Sequence, residues 1–372
     1  MPFIENFKTR AYWAAAGIAA LLVGAQPADA GFVTQTNLIS DGVVPAAVID
    51  PNFFNPWGMA AFPGGPIWVN LNNFGTSIIV LANGTEEFPE FNVPLPTFEA
   101  GTPGILSAPD GIVANTTNGF KITQNGVTAP ALFLFDTEDG TISGWNPEVN
   151  PTDAVLAIDK SVNGTGAVYK GLGIFTDSAG TFLLAANFRS GFVEVYDGNF
   201  HLVRQFRDNR LPADWGPFNV QTLSNGQIYV TYAKQDQSKH DDTGGFGFGA
   251  VDRVDIFGNV LAHVPGPFVF NSPWGLSIAP SSWGHFANQL LVGNFEDGTV
   301  RVFDAMRLNE IGTLHNANGS VFTVDGLWGL MQGNGTGPAD GGDTDKIYFS
   351  AGPNGQADGI WGYLSYTPVN GQ

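Results

Sequence analysis

Hydrophobic and polar residues alternate along most of this chain in short stretches that are separated by glycine, asparagine and aspartate. Two clear examples run from Leu183 to Asp197 and from Leu290 to Asp304, where an apolar stretch leads through Asn-Phe and a glycine into an alternating stretch. Alternation with a period of two buries one side of a strand, and a turn that contains glycine returns the chain antiparallel. The pattern therefore predicts β-hairpins, and no convincing helical period follows residue 30.

A second pattern precedes each hairpin. Pro56-Trp57-Gly58 and Pro273-Trp274-Gly275 are nearly identical, and Leu327-Trp328-Gly329 is a third copy. Weaker copies of this motif occur at residues 109–112, 170–172 and 217–220. The copies follow one another at intervals of roughly fifty residues, which is typical of a repeat architecture.

Each repeat predicts a glycine-marked first strand, a hairpin of second and third strands, and a more polar fourth strand such as His201 to Phe206. Six such units predict an all-β protein, a six-bladed β-propeller of four-stranded antiparallel blades. We expect residues 31–372 to form this single domain, because six blades close into one body. Phe32 to Ile39 precedes the first repeat, and we expect it to close the ring as the outer strand of the last blade.

The first 30 residues have a different character. Lys8 and Arg10 precede an apolar run from Ala11 to Ala25, and small residues follow up to Ala30. This order predicts a secretory signal peptide at residues 1–30 and export to the periplasm or the cell exterior. The alternative is a transmembrane anchor, but the run is shorter than the roughly 20 residues that span a bilayer core. We expect no transmembrane anchor in the mature chain, and the alanine-rich leader is typical of bacteria.

Composition and charge narrow the range of partners. The chain has 34 Asp and Glu against 15 Lys and Arg, and its formal net charge is −19. A field of this sign repels polyanions, so a nucleic-acid partner is excluded. There is no cysteine, which excludes disulfides and thiolate sites. The 30 Phe and 9 Trp supply ample material for a large core.

Several stretches carry a resemblance to known proteins. They are Thr34 to Asp41, Asp50 to Gly58, Tyr169 to Leu172, and Tyr232 to Asp236 followed by Lys239 to Asp242. With these stretches the chain resembles secreted six-bladed propellers of the NHL-like kind, and more closely an uncharacterised family of exported bacterial propellers. The resemblance covers essentially the whole mature chain. It implies export and a propeller fold, without a settled reaction.

A long insertion interrupts the fourth repeat between Lys234 and Gly249. It joins strands two and three, which in propellers places it on the face where the channel opens and ligands usually bind. Within seven positions it holds three carboxylates and an imidazole, on Asp236, His240, Asp241 and Asp242. Oxygen ligands at this density suit Ca²⁺, and histidine adds a ligand that Zn²⁺ accepts, so these four residues are a candidate metal site. The alternative is a solvated acidic loop.

The residue before each repeat glycine is a second candidate position. These residues are Trp57, Asp110, Lys170, Phe218, Trp274 and Trp328, and pseudo-symmetry predicts a ring near one mouth of the channel. Aromatic side chains in such a ring stack on a ligand, and the two charged ones provide polarity or proton transfer. Ligand binding is therefore predicted for Trp57, Trp274, Trp328, Asp110 and Lys170, and catalysis for the last two. The alternative is that the tryptophans wedge between adjacent blades.

Turn residues recur as well, at Asn73, Asp136, Asn187 and Asn294. They would point oxygens at a central cation, as in the calcium-dependent lactonase type of propeller. Recurrence in most blades favours a role in the turn instead, because Asn and Asp tolerate turn conformations and bond to their own backbone.

Three classes of function remain open from the sequence. The leading hypothesis is a binding scaffold whose small-molecule ligand or extracytoplasmic protein partner meets the face with the insertion. The second is a metal-dependent hydrolase or lyase, with Ca²⁺ or Zn²⁺, that acts on a small ester, lactone or sugar through Asp110, Lys170, Asp236 and His240. The third is a structural surface or matrix protein. Convergence of the loop carboxylates with Asp110 favours the enzyme, and a loop that projects into solvent favours the scaffold.

Overall fold

The fold is almost entirely β. The computed structural model describes residues 31–264, 269–335, 337 and 339–368, so the predicted signal peptide lies outside the described residues. Six sheets of four or five strands are arranged as the blades of a propeller, which confirms the predicted fold class. None of the helices in the described ranges is long and apolar enough to cross a membrane.

The strands of the first half follow the predicted repeat. The chain begins with β1 (Phe32–Ser40) and β2 (Val48–Ile49). The first blade contains β3 (Pro56–Ala60), β4 (Ile67–Leu71), β5 (Thr76–Val80) and β6 (Glu86–Asn92). The second contains β7 (Pro109–Ala114), a separate hairpin of β8 (Lys121–Gln124) and β9 (Val127–Pro130), and then β10 (Phe133–Thr137), β11 (Thr141–Trp145) and β12 (Val155–Asp159). The third contains β13 (Tyr169–Asp177), β14 (Gly180–Asn187), β15 (Phe192–Tyr196) and β16 (Leu202–Phe206).

The second half repeats the same plan. The fourth blade contains β17 (Trp215–Thr222), β18 (Ile228–Lys234), β19 (Gly249–Val254) and β20 (Val260–His263). The fifth contains β21 (Pro273–Ile278), β22 (Leu290–Asn294), β23 (Val300–Phe303) and β24 (Glu310–Thr313). The sixth contains β25 (Leu327–Gln332), β26 (Lys346–Ala351) and β27 (Ile360–Thr367). Short helical turns occur at Asn72–Phe74, Gly284–Phe286 and, as α1, Pro353–Gln356.

The N-terminal strand belongs to the sixth blade. β1 pairs antiparallel with β27, from Phe32 opposite Thr367 to Ser40 opposite Ile360, and the short β2 adds a parallel pair at its outer edge. The sheet order is β2-β1-β27-β26-β25, so β1 is the fourth strand of the blade that contains the C-terminal strands.

The repeat position marks the place where the innermost strands approach one another. The six repeat positions, Gly58, Gly111, Gly171, Asn219, Gly275 and Gly329, all lie in the first strand of their blade. These strands contact one another across neighbouring blades, so they are the innermost strands around the axis. A side chain at Gly58 or Gly111 would collide with the next inner strand, at Asp110 O and Leu172 N respectively. Glycine recurs there because the inner strands approach so closely.

Hydrophobic cores fill the space between neighbouring blades. Leu184 and Val193 of the third blade, for example, pack in one cluster with Val220 and Val230 of the fourth. Burying each such side chain stabilises the fold by about 1.5–3 kcal/mol. The blades are therefore held together mainly by apolar contact.

The insertion defines one face of the propeller. Residues 235–248 connect the end of β18 to the start of β19, and Lys234 at that end pairs with Trp215 at the start of β17. The turns between strands two and three and the first residues of the inner strands therefore share this face. We call it the insertion face.

Candidate functional site

The three tryptophans of the repeat lie together on the axis. Trp57, Trp274 and Trp328 are each about 1% exposed. Trp57 and Trp328 stack with ring centroids 3.5 Å apart, and the edge of Trp274 meets both at 6.0 and 5.9 Å. Phe295 stacks on Trp328 at 3.8 Å. The aromatic faces thus cover one another and fill the channel, an arrangement that differs from separate wedges between blades; ligand binding by these rings stays a prediction.

Lys170 is the centre of a charged cluster beside this aromatic plug. It is the second residue of β13, its side chain is 3% exposed, and its ammonium lies 5.2 Å from the centroid of the Trp57 ring. The ammonium pairs with Glu138 and, at 3.3 Å, with Asp241 of the insertion. A buried ammonium requires such partners, because its desolvation is otherwise very unfavourable.

Asp110 joins the same cluster through Asn72. The Asn72 amide donates to Asp110 Oδ1 at 2.7 Å and to Glu138 Oε2 at 3.3 Å. Asp110 is fully buried in β7, and below it Asp136 accepts a hydrogen bond from the Gly111 amide at 2.7 Å. Side chains from the first four blades therefore meet at one place on the insertion face.

The insertion folds toward this cluster. His240 Nδ1 lies 3.0 Å from Asp241 Oδ1, the same oxygen that reaches Lys170. Asp236 stays within the loop, where it accepts hydrogen bonds from the His240 amide at 2.9 Å and from the Ser238 hydroxyl at 2.6 Å. The half-buried Asp242 pairs through its backbone with Gln235. Of the four predicted metal ligands, the structure brings His240 and Asp241 to the axis, while Asp236 shapes the loop.

Burial and charge set the protonation of the inner groups. Burial and the nearby Glu138 charge raise the pKa of Asp110 well above its usual value. Burial also raises the pKa of Asp136 to about 7, although amide hydrogen bonds from Gly111 and Gly171 oppose it. Burial works to lower the pKa of Lys170, but Glu138, Asp110 and Asp241 outweigh it and raise the value. These carboxylates therefore favour the charged form of Lys170, and its catalytic role stays a prediction.

The outer groups titrate differently. The hydrogen bond from His240 lowers the pKa of Asp241, and the same bond raises the pKa of His240. Burial raises the pKa of Asp139 to about 6. His240 and Asp241 are partly open to solvent, with side chains 38% and 65% exposed. Molecules that approach the mouth thus meet an ionised carboxylate next to an imidazole that favours its protonated form.

Two members of this cluster were not singled out from the sequence. Glu138 lies in the turn between β10 and β11, and Asn72 begins the helical turn between β4 and β5. Both turns join strands two and three, so they share the insertion face. A usable signal was present: Asp136, Glu138 and Asp139 place three acids in one turn on the same face as the acidic insertion.

The other end of the inner strands forms a cavity of about 290 Å³. Its lining comes from all six blades and includes Met59, Ile112, Ile174, Leu276 and Met331. None of the described residues that line it is charged. The two ends of the channel therefore differ sharply in chemistry.

Two groups of side chains have the composition of a metal site. Glu138, His240 and Asp241 form one at the mouth, and Asp208, Asp252 and His263 form the other between the third and fourth blades. At the mouth, the buried ammonium of Lys170 already contacts both carboxylates. A divalent ion bound there would lie beside that fixed positive charge, and the repulsion disfavours it. The mouth therefore fits a resident metal ion poorly.

Solved structures show the fold of this chain in other proteins. A protein of unknown function from Bacteroides thetaiotaomicron matches with a TM-score of 0.51 and 9% identity over 90% of this chain and 76% of its own. A streptogramin B lyase matches with a TM-score of 0.43 and 10% identity over 90% of this chain and 98% of its own. At such identities the likeness concerns the fold alone.

The chain also has relatives among curated sequences, whereas no family model matches it. One uncharacterised protein of Acanthamoeba polyphaga mimivirus is 30% identical over 342 residues, which cover 88% of this chain and 84% of the relative. A second from the same virus is 28% identical over 373 residues, covering 95% and 85%. These relatives are viral, so the expected bacterial origin has no support from them, and export stays a prediction. The chain belongs to the family of these uncharacterised mimivirus proteins.

Proposed function

We propose that this propeller binds a small polyhydroxylated molecule, neutral or cationic, at the mouth of the channel on the insertion face. The observation that carries this proposal is the continuous network from Asp110 through Asn72, Glu138 and Lys170 to Asp241. Four blades contribute to it. Such convergence of polar groups on the axis is what a ligand site needs and a purely structural blade does not.

The members of the network that reach the mouth set the ligand class: the side chains of His240 and Asp241 are 38% and 65% exposed, and that of Glu138 is 14% exposed. Glu138, His240 and Asp241 present two carboxylates and an imidazole, which accept and donate hydrogen bonds to hydroxyl groups. Lys170 lies beneath them and holds both carboxylates in place. The net charge of −19 disfavours anionic ligands. Sugars, amino sugars and other polyols fit these conditions.

A panel of monosaccharides, amino sugars, sugar lactones and polyols tests the proposal by saturation-transfer NMR. Asp241→Asn is the test variant, and Asp255→Asn is its matched control, because Asp255 follows the other end of β19 on the opposite face. We expect at least one compound to bind the wild type and the control equally, and Asp241→Asn about tenfold or more weakly. Equal binding by all three proteins, or binding of no compound, would overturn the proposal.

A second candidate function is hydrolysis or elimination of a small ester, lactone or sugar without a metal. It is favoured by the link from the loop carboxylate Asp241 to Asp110 and by the pair of His240 and Asp241. An imidazole held by a carboxylate at 3.0 Å can transfer protons near neutral pH. Asp110 and Lys170 are buried, so they would position groups and would not touch the substrate. Turnover of lactones and esters that is lost in His240→Asn and kept in His285→Asn would support this candidate. Turnover that persists in His240→Asn would exclude it.

A further inference from the structure

We propose that Asp208, Asp252 and His263 form a site for a divalent transition-metal ion such as Zn²⁺, between the third and fourth blades. One donor atom from each residue lies within 4.8 Å of the other two. This site is separate from the channel mouth and does not depend on the function proposed for it.

Strand pairing fixes two of the three donors, Asp252 and His263. Asp252 on β19 pairs directly with His263 on β20, and Asp208 lies in the link that follows β16. His263 Nδ1 is 2.5 Å from Asp252 Oδ1 and 3.8 Å from Asp208 Oδ2. Two donors on a tetrahedral Zn²⁺ with bonds of about 2.1 Å are roughly 3.4 Å apart. Small side-chain movements therefore suffice to place all three around one ion.

The burial of these residues distinguishes them from ordinary surface acids. The Asp252 and Asp208 side chains are 0% and 4% exposed, and His263 at 20% leaves a path for an ion from solvent. Two carboxylates this deeply buried are unfavourable unless cations compensate them. An ion bound between them would provide that compensation.

Unpartnered polar atoms point to the same place. Asp252 Oδ2 and the hydroxyl of the buried Tyr232 belong to neighbouring side chains, and neither atom makes a hydrogen bond of good geometry with a described residue. The strand register places Val230 opposite Asp252, so Tyr232, two residues further along β18, has its side chain on the same face of the sheet. A buried acceptor and a buried hydroxyl next to the three donors are what an ion, or a water bound to it, would satisfy.

Arg210 offers the competing explanation. It donates to Asp208 from Nε at 2.8 Å and from Nη2 at 2.7 Å, and Nη2 lies 3.6 Å from Asp252. This cation offsets part of the negative charge of the two carboxylates without any metal ion. However, Arg210 is 54% exposed and can turn into solvent when an ion enters, which the buried Lys170 of the channel mouth cannot do. The two explanations therefore predict opposite effects of removing Arg210.

The donor set also indicates the kind of ion. Ca²⁺ takes six to eight oxygen ligands, and this site offers two carboxylates, a hydroxyl and a nitrogen. Imidazole with carboxylates in a small coordination shell suits Zn²⁺, with Mn²⁺ as the next choice.

The test is calorimetric titration of the chelator-treated mature chain with ZnCl₂, in the wild type and in His263→Ala, Arg210→Ala and His240→Ala. We expect one Zn²⁺ per wild-type chain, affinity at least about a hundredfold lower in His263→Ala, and unchanged affinity in His240→Ala. Arg210→Ala removes a competing cation and should bind Zn²⁺ severalfold more tightly. Visible absorption of the Co²⁺-loaded chain gives a second readout, and circular dichroism checks that each variant folds.

Three results would overturn the site. They are no stoichiometric Zn²⁺ in the wild type, loss of the ion in His240→Ala with retention in His263→Ala, or a destabilised Arg210→Ala that binds Zn²⁺ no more tightly. The first and third would establish Arg210 as the permanent counterion of the two carboxylates. The second would assign the ion to the channel mouth.

Discussion

The two ends of the same six inner strands have opposite chemistry. At the insertion face the strands begin with a charged cluster around Lys170, and at the other face they end in an uncharged cavity lined by residues such as Ile112 and Leu276. Both ends belong to the same six strands, so the strand geometry does not explain why one end is charged and the other is not. The difference arises because some copies of the repeat replace an aromatic residue with Asp110 or Lys170.

This contrast indicates which parts of the molecule support the fold and which support its chemistry. The uncharged end is lined by apolar and uncharged polar residues from all six blades, such as Met59 and Gln221. At the charged end, each buried ionisable group needs partners that come from turns of other blades, such as Glu138 and Asp241. We therefore propose that departures from the repeat mark the functional end of the channel.

The largest expected effect comes from removing the central cation. Lys170→Met leaves Glu138 and Asp241 without their buried counterion and should lower the free energy of unfolding by about 3–5 kcal/mol. Urea denaturation measures this effect. Lys346→Met is the control, because Lys346 and Asp343 are 21% and 40% exposed in their pair, and its loss should cost about 1 kcal/mol or less. Equal losses in the two variants would mean that the cluster is no more demanding than a surface ion pair.

At the other end, Leu276→Ala should cost about 2–4 kcal/mol, because it removes a buried side chain of the inner strand β21. Since none of the described residues that line this cavity is charged, the loss should be the same at pH 5 and pH 7. Urea denaturation of the wild type and of Leu276→Ala at the two pH values measures this loss in the free energy of unfolding. A loss that changes with pH would show that the two ends are electrostatically coupled.

Asp136 should make the charged end sensitive to pH. Burial raises its pKa from 3.8 to about 7, so between these values the folded state keeps a proton that the unfolded state has lost. Stability should therefore fall as the pH rises from 4 to 7, by about 1.4 kcal/mol per pH unit from this group alone.

Asp136→Asn should remove that part of the slope, as followed by denaturation across this pH range. Asp197→Asn is the control on the opposite face: hydrogen bonds from His201 and Asn199 overcome the effect of burial and lower the pKa of Asp197. Its contribution therefore changes only below this range. The same slope in Asp136→Asn and in the wild type would contradict the assignment.

The smallest effect is expected within the insertion. Asp236→Ala removes the hydrogen bonds to the His240 amide and Ser238, and it should cost about 1 kcal/mol or less, since the loop is exposed. Ligand binding at the mouth should nevertheless weaken, because His240 and Asp241 lose their support. Comparing melting temperature with binding by the NMR panel separates the two effects. A large fall in melting temperature would assign Asp236 to the core of the fold.

The propeller could be predicted from the sequence because its cause is local and repeated. Alternation, turn glycines and the Pro-Trp-Gly motif each recur in several blades, so one misjudged strand does not alter the conclusion. The insertion was visible for the same reason, as a break in the repeat.

The site was predicted only in part, because its contacts are long-range. Lys170 and Asp241 are far apart in sequence, and nothing local indicates that their side chains meet at 3.3 Å. Glu138 was not identified from the sequence, because an acidic residue in a turn is usually exposed to solvent. The packing of Trp57 on Trp328 likewise depends on how the six inner strands converge, which a sequence pattern does not encode.

The most direct test of the account is a crystal structure of the protein soaked with the tightest compound from the polyol panel. The two ends of the channel then compete for one ligand. We predict that the compound lies at the insertion face, within hydrogen-bonding distance of Glu138, His240 or Asp241. Its presence in the cavity beside Leu276 and Met331 instead would contradict the proposal that departures from the repeat mark the functional end.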